Sequence, residues 1–450
     1  MSRSFEAADA ANDLRIHLLD VGDKKYGDAV LCKFGNVSVM IDGAHPTDST
    51  IIVNQLRELL NQEPPFEISL LIITHPHDDH IGCAPSLVAN NKIRPKWALV
   101  ADPQYRWGED DVVDDQLLSL GMRARGLVEA LREEDRADLS DEELTEFIDS
   151  VSTVRERYTQ MIRTLTEEGT IVVRHGTDDA TELKAFFQNV GLNIAGPTLE
   201  HLRECRRLLA ENENDAVDAA QSLFSTDAPM DIAAAYRALL GSAAADWFAP
   251  NKGAINLQSI VSIFEYGGKK ILFAGDMQFA KPEVQSTFLK QSMRELQDRI
   301  ENEAPFDFYK VSHHGSHNAF SEAVLERLGG TALFGICGGR RDPGHPDQEV
   351  LELLNEHRDS IQWARTDHNG QTTVTFGQTG PIVDISRGEL NDATPNTGAT
   401  DEALIGVRGP AVTVMRAAPP NGNGTLEISA RVPSNATQVS ITVALGPARA

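Results

Sequence analysis

The sequence predicts an α/β layered domain, and three observations carry that prediction. Apolar runs of strand length alternate with segments of helical period from about residue 50 onward. Five of the six residues at 68–73 are apolar, which reads as a fully buried strand, and the run breaks into a loop holding three histidines and two aspartates within six residues. Later apolar runs also end in polar loops, at Gly275-Asp276, at His313-His314-Gly315-Ser316 and at His345.

Taken in order, residues 14–43 read as three strands with short turns, an antiparallel meander whose apolar runs stop at Asp20 and Asp42. Residues 50–62 have helical period, with Asp48 or Ser49 as N-cap and Pro64-Pro65 as the stop. The strand at 68–73, a short helix after Gly82 and a strand at 97–101 continue the alternation. Residues 103–168 are charged and helical in pattern and read as an insertion, with Ser140 and Glu143 spaced as a capping box. Strand signals at 170–174 and 192–195 precede a second helical insertion at about 199–250. Strands at 260–264 and 270–274 flank the turn Gly267-Gly268. Helices at about 281–302, 321–328 and 347–357 then alternate with strands at 306–311 and 331–337, and short strands follow near 361–366, 371–377 and 381–386. Residues 1–388 therefore read as the main domain. A linker rich in Thr, Asn, Ala and Asp is expected at 389–402, and a small β-rich tail at 403–450.

The loop after 68–73 carries the chemistry. His75, His77, Asp79 and His80 follow the pattern H-x-H-x-D-H, and a buried strand fixes where that loop starts. Imidazole nitrogen and carboxylate oxygen suit zinc, manganese or iron. Paired cysteines of a zinc finger are absent from this stretch. A carboxylate at the end of a buried strand costs free energy unless paired or metal-bound, so Asp276 is a candidate bridging ligand, and one of His313 and His314 is a candidate for a second ion. Asp42 reads equally as a turn residue or as a carboxylate that orients a metal-bound histidine.

Composition bounds the rest. Among 450 residues, 41 are basic and 67 acidic, a formal charge of −26, which opposes tight non-specific binding to duplex nucleic acid. A small anionic substrate drawn to a local metal charge is compatible with that balance. The four cysteines, Cys32, Cys83, Cys205 and Cys337, form no C-x-x-C pair, as in a reduced cytosolic protein. The N-terminus shows no apolar signal region, and no run approaches the ~18 apolar residues of a membrane span. The expectation is a cytoplasmic protein that does not enter the membrane.

The H-x-H-x-D-H stretch resembles the metallo-β-lactamase superfamily. Asp20-Val21-Gly22, Gly27-Asp28-Ala29, Ile41-Asp42-Gly43, His75 to His80, Asn256 with Ser259, Gly275-Asp276, His313 to Ser316 and Gly344-His345-Pro346 occur in order, and together they resemble the hydrolase domain of the ComEC-like competence family over most of 14–386. The resemblance implies an αββα sandwich with the site at one edge of two sheets, and a metal-dependent hydrolase, in that family a nuclease or phosphodiesterase. The competence proteins carry many transmembrane helices that this chain lacks, so the DNA-uptake role is not carried over. Superfamily members have a further histidine ligand between the first cluster and the Gly-Asp motif, for which the candidates here are His201 and His175.

Under this reading two divalent ions, zinc foremost, are expected ~3.5–4 Å apart, activating a water for in-line attack on a phosphoryl group. His75 and His77 hold one; Asp79, His80 and one of His313 or His314 hold the other; Asp276 bridges. Asp79 orients the attacking water as the alternative to ligation. His345 contacts a substrate oxygen or protonates the leaving group, or is simply a helix-start histidine. Arg340, Arg341 and Lys310 are candidate phosphate contacts. The leading function is a phosphodiesterase or nuclease acting on a nucleic-acid end or a nucleotide. The alternatives are hydrolysis of a lactone, thioester or amide bond, and a non-catalytic subunit that keeps the fold and binds a protein partner.

Overall fold

A computed structural model describes residues 14–23, 27–108, 118–132, 139–211, 213–224, 231–242, 249–342, 344–377 and 380–396, with the strands 413–417 and 428–431. Two sheets make the frame. The first opens with the meander β1 (Leu14–Leu18), β2 (Val30–Phe34) and β3 (Val37–Ile41). The strands β4 (Phe66–Ile73), β5 (Ile93–Ala101) and β6 (Ile171–His175) then add in parallel to β3. The second sheet holds β7 (Asn193–Gly196), β8 (Val261–Tyr266), β9 (Lys269–Phe273), β10 (Phe308–Lys310), β11 (Leu333–Ile336) and β12 (Gln362–Arg365), with β9 to β12 parallel. The hairpin β13 (Thr372–Gly377) and β14 (Gly380–Ile385) returns to the free side of β1, so the first sheet reads β14-β13-β1-β2-β3-β4-β5-β6.

Side-chain alternation along these strands builds the layers. Leu70 and Ile72 of β4 join Ile16, Phe34 and Val39 in a core that meets Phe264, Ile271, Phe273 and Phe308 of the second sheet. Leu71 and Ile73 face the other way, onto helices α1 (Ser49–Leu60), α2 (Asp78–Ile81), α3 (Ala84–Ala89) and the helix carrying Tyr158 and Met161. The result is the αββα sandwich that the sequence led us to expect. Each sheet is covered outside by helices and the two sheets share one apolar interior.

The charged segment 103–168 contributes α4 (Gln104–Trp107), α5 (Leu118–Arg132), α6 (Asp141–Ser152) and α7 (Val154–Glu167). The Ser140 capping box is present, with Ser140 N donating to Glu143 Oε2 at 3.0 Å. After α8 (Thr181–Phe186), the segment 199–250 contributes α9 (Leu199–Ala210), α10 (Glu213–Phe224) and α11 (Ile232–Leu240). The two segments divide their labour. Helix α7 packs on the first sheet, and α9 on the second. Helices α5, α6, α10 and α11 pack on one another through Leu127, Ile148, Ala220, Tyr236 and Leu239, in a cluster that, among the described residues, holds residues of these two segments alone. Helices α12 (Thr287–Glu301), α13 (Glu322–Arg327) and α14 (Gln348–Glu356) complete the outer layer of the second sheet.

Part of the stretch expected as a linker is docked on β12. Trp363 N donates to Asn391 Oδ1 at 2.8 Å, Asn391 N returns to Trp363 O at 3.1 Å, and Arg365 Nη1 donates to Thr394 O at 2.7 Å. The chain divides into two compact units at 398/399, and in the second β15 (Thr413–Ala417) pairs antiparallel with β16 (Ile428–Arg431). The remainder of the 403–450 tail lies outside the described residues.

Candidate metal centre

The site gathers at the carboxyl ends of parallel strands from both sheets. Strand β4 runs into the His75 loop, β9 into Gly275-Asp276 and β10 into the turn His313–Gly315. The backbone that folds these loops together leaves little room for side chains. Gly82 has φ +48, and a Cβ there would lie 2.0 Å from Ala44 O. Gly275 has φ +52, and a Cβ would meet Ser259 Oγ at 2.8 Å and Thr74 Cβ at 3.0 Å. Asp276 N donates to Ser259 Oγ at 2.9 Å, and His313 N to Gly275 O at 3.2 Å, so the second-sheet loops are tied to each other.

Four buried side chains converge: Asp79, His80, Asp276 and His314. Asp276 Oδ2 lies 3.0 Å from His80 Nε2 and 3.3 Å from His314 Nε2, and Asp79 Oδ2 lies 3.0 Å from His314 Nε2. Each of the two histidines is aimed from behind by a carboxylate. His80 Nδ1 donates to Asp42 Oδ2 at 2.8 Å, while Asp42 also accepts from Thr74 N and Thr74 Oγ1, both at 2.7 Å. His314 Nδ1 lies 3.1 Å from Asp28 Oδ1 and 3.2 Å from Cys337 O. Fixing Nδ1 in this way presents Nε2 to the centre. Asp42 therefore takes the orienting role rather than that of a simple turn residue.

His75 and His77 form the adjoining half. His75 Nδ1 lies 3.2 Å from Thr74 Oγ1, and that hydroxyl donates onward to Asp42, so Nδ1 carries the proton. His75 Nε2 then lies 3.0 Å from His77 Nδ1, with the rings of His75 and His80 4.1 Å apart. Two imidazole nitrogens turned toward each other at that distance suit a shared cation.

The electrostatics divide the cluster. Burial pushes His75 well down and His77 down to about 3, the latter helped by the Arg106 guanidinium, so both are neutral donors. Burial also opposes charge on His80 and His314, but the surrounding carboxylates, Asp276 foremost, outweigh it and hold both well above the ordinary imidazole range. Asp276 is held well below the usual carboxylate range, because His80 and His314 outweigh its burial. Lys310, buried at the end of β10, pairs with Asp28 and stands 3.9 Å from Asp276 Oδ1, an oxygen that accepts no hydrogen bond among the described residues. Two neutral imidazoles, two oriented imidazoles and two carboxylates form a donor set that fits a divalent ion.

Other candidates sit elsewhere. His313 Nδ1 donates to Asn318 Oδ1 at 2.8 Å, and its Nε2 lies 3.3 Å from Asn256 Nδ2, so both nitrogens are committed outside the cluster. Of the 313–314 pair, His314 is the one brought to the centre. His201 Nδ1 lies 2.9 Å from Ser292 Oγ and His175 Nε2 2.8 Å from Pro197 O, and neither belongs to the donor group. The His345 ring stands 6.0 Å from the His314 ring and 5.8 Å from that of His313, with Nδ1 3.0 Å from Asp342 Oδ2 and a side chain 14% exposed. Asp20 is spent on Arg387, at 2.7 Å, and on Gly22 N, at 2.8 Å. Lys310 is enclosed and pairs with Asp28, while Arg340 pairs with Asp23 at 3.2 Å. Asp28 was legible only as part of a Gly-Asp-Ala motif. Its partner Lys310 lies 282 positions further along the chain, and His314 lies beyond that.

Residues 23–175 match the family model described as the metallo-beta-lactamase superfamily. The chain is also 31% identical over 122 residues to ComE operon protein 3 of Bacillus subtilis (strain 168), a match over 27% of this chain and 14% of that protein's length. Among solved structures, a mutant of the CmlA beta-hydroxylase aligns at TM-score 0.32 and 11% identity, over 83% of this chain and 55% of that one. Among the described residues no helix is long and apolar enough to cross a membrane. The matched segment, about a third of the chain, runs from the first-sheet meander through the His75–His80 loop to β6, and over that segment the chain is similar to the metallo-beta-lactamase superfamily.

Proposed function

We propose that this chain is a metal-dependent phosphodiesterase or nuclease that holds two divalent ions, zinc foremost, at the joint of the two sheets. The observation that carries the reading is the buried convergence of Asp79, His80, Asp276 and His314 beside the facing nitrogens of His75 and His77. His75 and His77 would hold one ion, Asp79, His80 and His314 the other, and Asp276 both. Such ions supply the Lewis acidity that makes water nucleophilic near neutral pH and offsets charge on a phosphoryl group.

The chain's own residues do the rest. Asp42 holds the Nδ1 proton of His80, and the Cys337 carbonyl, with the Asp28 carboxylate beside it, holds that of His314, so that each Nε2 stays a donor. Asp79, at the inner edge of the cluster, orients the attacking water where it is not itself a ligand. His345, with Nδ1 held by Asp342, offers its other nitrogen to a substrate oxygen or to the leaving group. We place the reaction in a reducing cytoplasm, which suits four free, buried cysteines.

The test is hydrolysis of bis(p-nitrophenyl) phosphate by the purified chain with Zn²⁺ or Mn²⁺, beside Asp276→Ala. Metal-dependent turnover that disappears in the variant supports the reading. Stoichiometric metal with no turnover of this diester, but turnover of a lactone or thioester, would replace it with that chemistry.

A further inference from the structure

The residues of the 75–80 loop alternate in what they face. His75, His77, Asp79 and His80 turn to the donor centre, whereas the Pro76 carbonyl and the Asp78 side chain turn away from it and are gripped by helices. Asp78 is 2% exposed. Its Oδ2 accepts from Ser150 Oγ of α6 at 2.7 Å and its Oδ1 from Arg157 Nη2 of α7 at 2.5 Å. The same Arg157 nitrogen donates to Ser150 O at 3.1 Å, so arginine, serine and aspartate close on one another. On the other side of the loop Arg106, 1% exposed, donates from Nη1 to the Pro76 carbonyl and from Nη2 to Glu129 Oε2 of α5 at 2.8 Å. Glu129 Oε1 in turn accepts from Arg132 Nη1 at 3.2 Å, and Arg132 Nη2 donates to Leu209 O of α9 at 2.6 Å.

Folding stability gives a weak reason for this arrangement. A buried ion pair repays its desolvation only in part, and apolar residues of like volume serve stability as well or better. What such a pair does well is fix one geometry, through short charge-assisted bonds with narrow angular tolerance. Both clamps land on the backbone or side chain immediately between two metal-ligand candidates. A rotation at Pro76 or Asp78 would move His75, His77 and Asp79 together.

We propose that the helical insertions are a working part of the metal centre: Ser150 and Arg157 acting through Asp78, and Arg106 acting through the Pro76 carbonyl, hold the His75–His80 loop in its metal-binding pose and thereby set metal affinity. Arg157, Ser150 and Arg106 are positioning residues, and the proposal rests on the reading of this loop as a metal ligand set.

The experiment measures Zn²⁺ affinity of the full chain by competition with a chromophoric chelator, with thermal unfolding of the metal-free chain alongside. The variants are Arg157→Ala, Arg157→Lys and Ser150→Ala, with the exposed Arg163→Ala of the same helix as control. Loss of an outer partner of a metal ligand costs ~10–100-fold in affinity. Arg157 acts one step further out, through Asp78, so Arg157→Ala should weaken binding by up to ~10-fold, the lower end of that range. Arg157→Lys should recover part of it, and Arg163→Ala should match the parent chain. Should Arg157→Ala fail to fold, Ser150→Ala carries the test, because it keeps the ion pair and is expected to weaken binding in the same direction. Unchanged affinity in the folded Asp78-clamp variants overturns the proposal. A parent chain that binds no Zn²⁺ overturns the reading of the loop itself, and that result appears before any variant is made.

Discussion

His80 illustrates how a buried imidazole becomes a directed donor. Its Nδ1 is committed to Asp42, which two Thr74 bonds hold in place, and its Nε2 is left facing Asp276. Replacing Asp42 with Ala frees the ring and removes the acceptor, and should weaken metal binding ~10–100-fold without emptying the site. The same logic separates the two adjacent histidines. His314→Ala should abolish stoichiometric metal at the Asp79–His80 half, whereas His313→Ala should leave metal content unchanged, as read by metal analysis after loading. A third residue-scale prediction concerns pH. Burial, with Arg15 and Lys33 adding to it, pushes His17 down to about 4 from an ordinary 6.5. The unfolded chain therefore takes up that proton first as pH falls, and the stabilisation, complete above 6.5, is lost on the way to about 4. In urea unfolding, the parent chain should lose stability relative to His17→Gln by up to ~1.4 kcal/mol per pH unit across that window. A constant difference would contradict it.

At the scale of elements, what was legible in the sequence followed from periodicity and from glycine. The strand at 68–73, the three-strand meander, the capping box at Ser140 and the polar loops after β9 and β10 each have a local cause, and each lies where that cause puts it. Two features have causes that are not local. Residues 391–394 read as a linker by composition, yet the Asn391 amide pairs with the main chain of β12 in the way a strand neighbour would. The charged insertions read as two separate additions, because nothing within either one announces that Leu127 and Ile148 of the first meet Ala220 and Tyr236 of the second. That joint core has its own prediction. Leu127 is fully buried there, and Leu127→Ala should destabilise the chain by about 2–5 kcal/mol in denaturant unfolding. A change within experimental error would mean that the four helices do not share a core. The histidines of the centre were legible as candidates from their spacing. Which of His313 and His314 belongs to it was not, because the choice depends on Asn318 and Asn256 taking both nitrogens of the first.

For the whole molecule, the centre lies where the two sheets meet. Asp79 and His80 come from a loop of the first sheet, Asp276 and His314 from loops of the second, and the apolar interior between the sheets runs beneath them. An ion held by all four would therefore fasten one sheet to the other as well as act on substrate. Ligand that binds the folded chain alone stabilises it by about 2.7 kcal/mol at a hundredfold excess over its dissociation constant. Metal loading and thermal stability should thus move together. The most direct test is the metal content of the full chain after loading with Zn²⁺ and removal of the excess, with the unfolding temperature measured on the same sample, beside Asp276→Ala. The expected result is a parent chain that retains stoichiometric zinc and unfolds at a higher temperature than its metal-free form, and a variant that has lost both properties. A folded parent chain that emerges without metal, and unfolds at one temperature with or without zinc, would contradict the account.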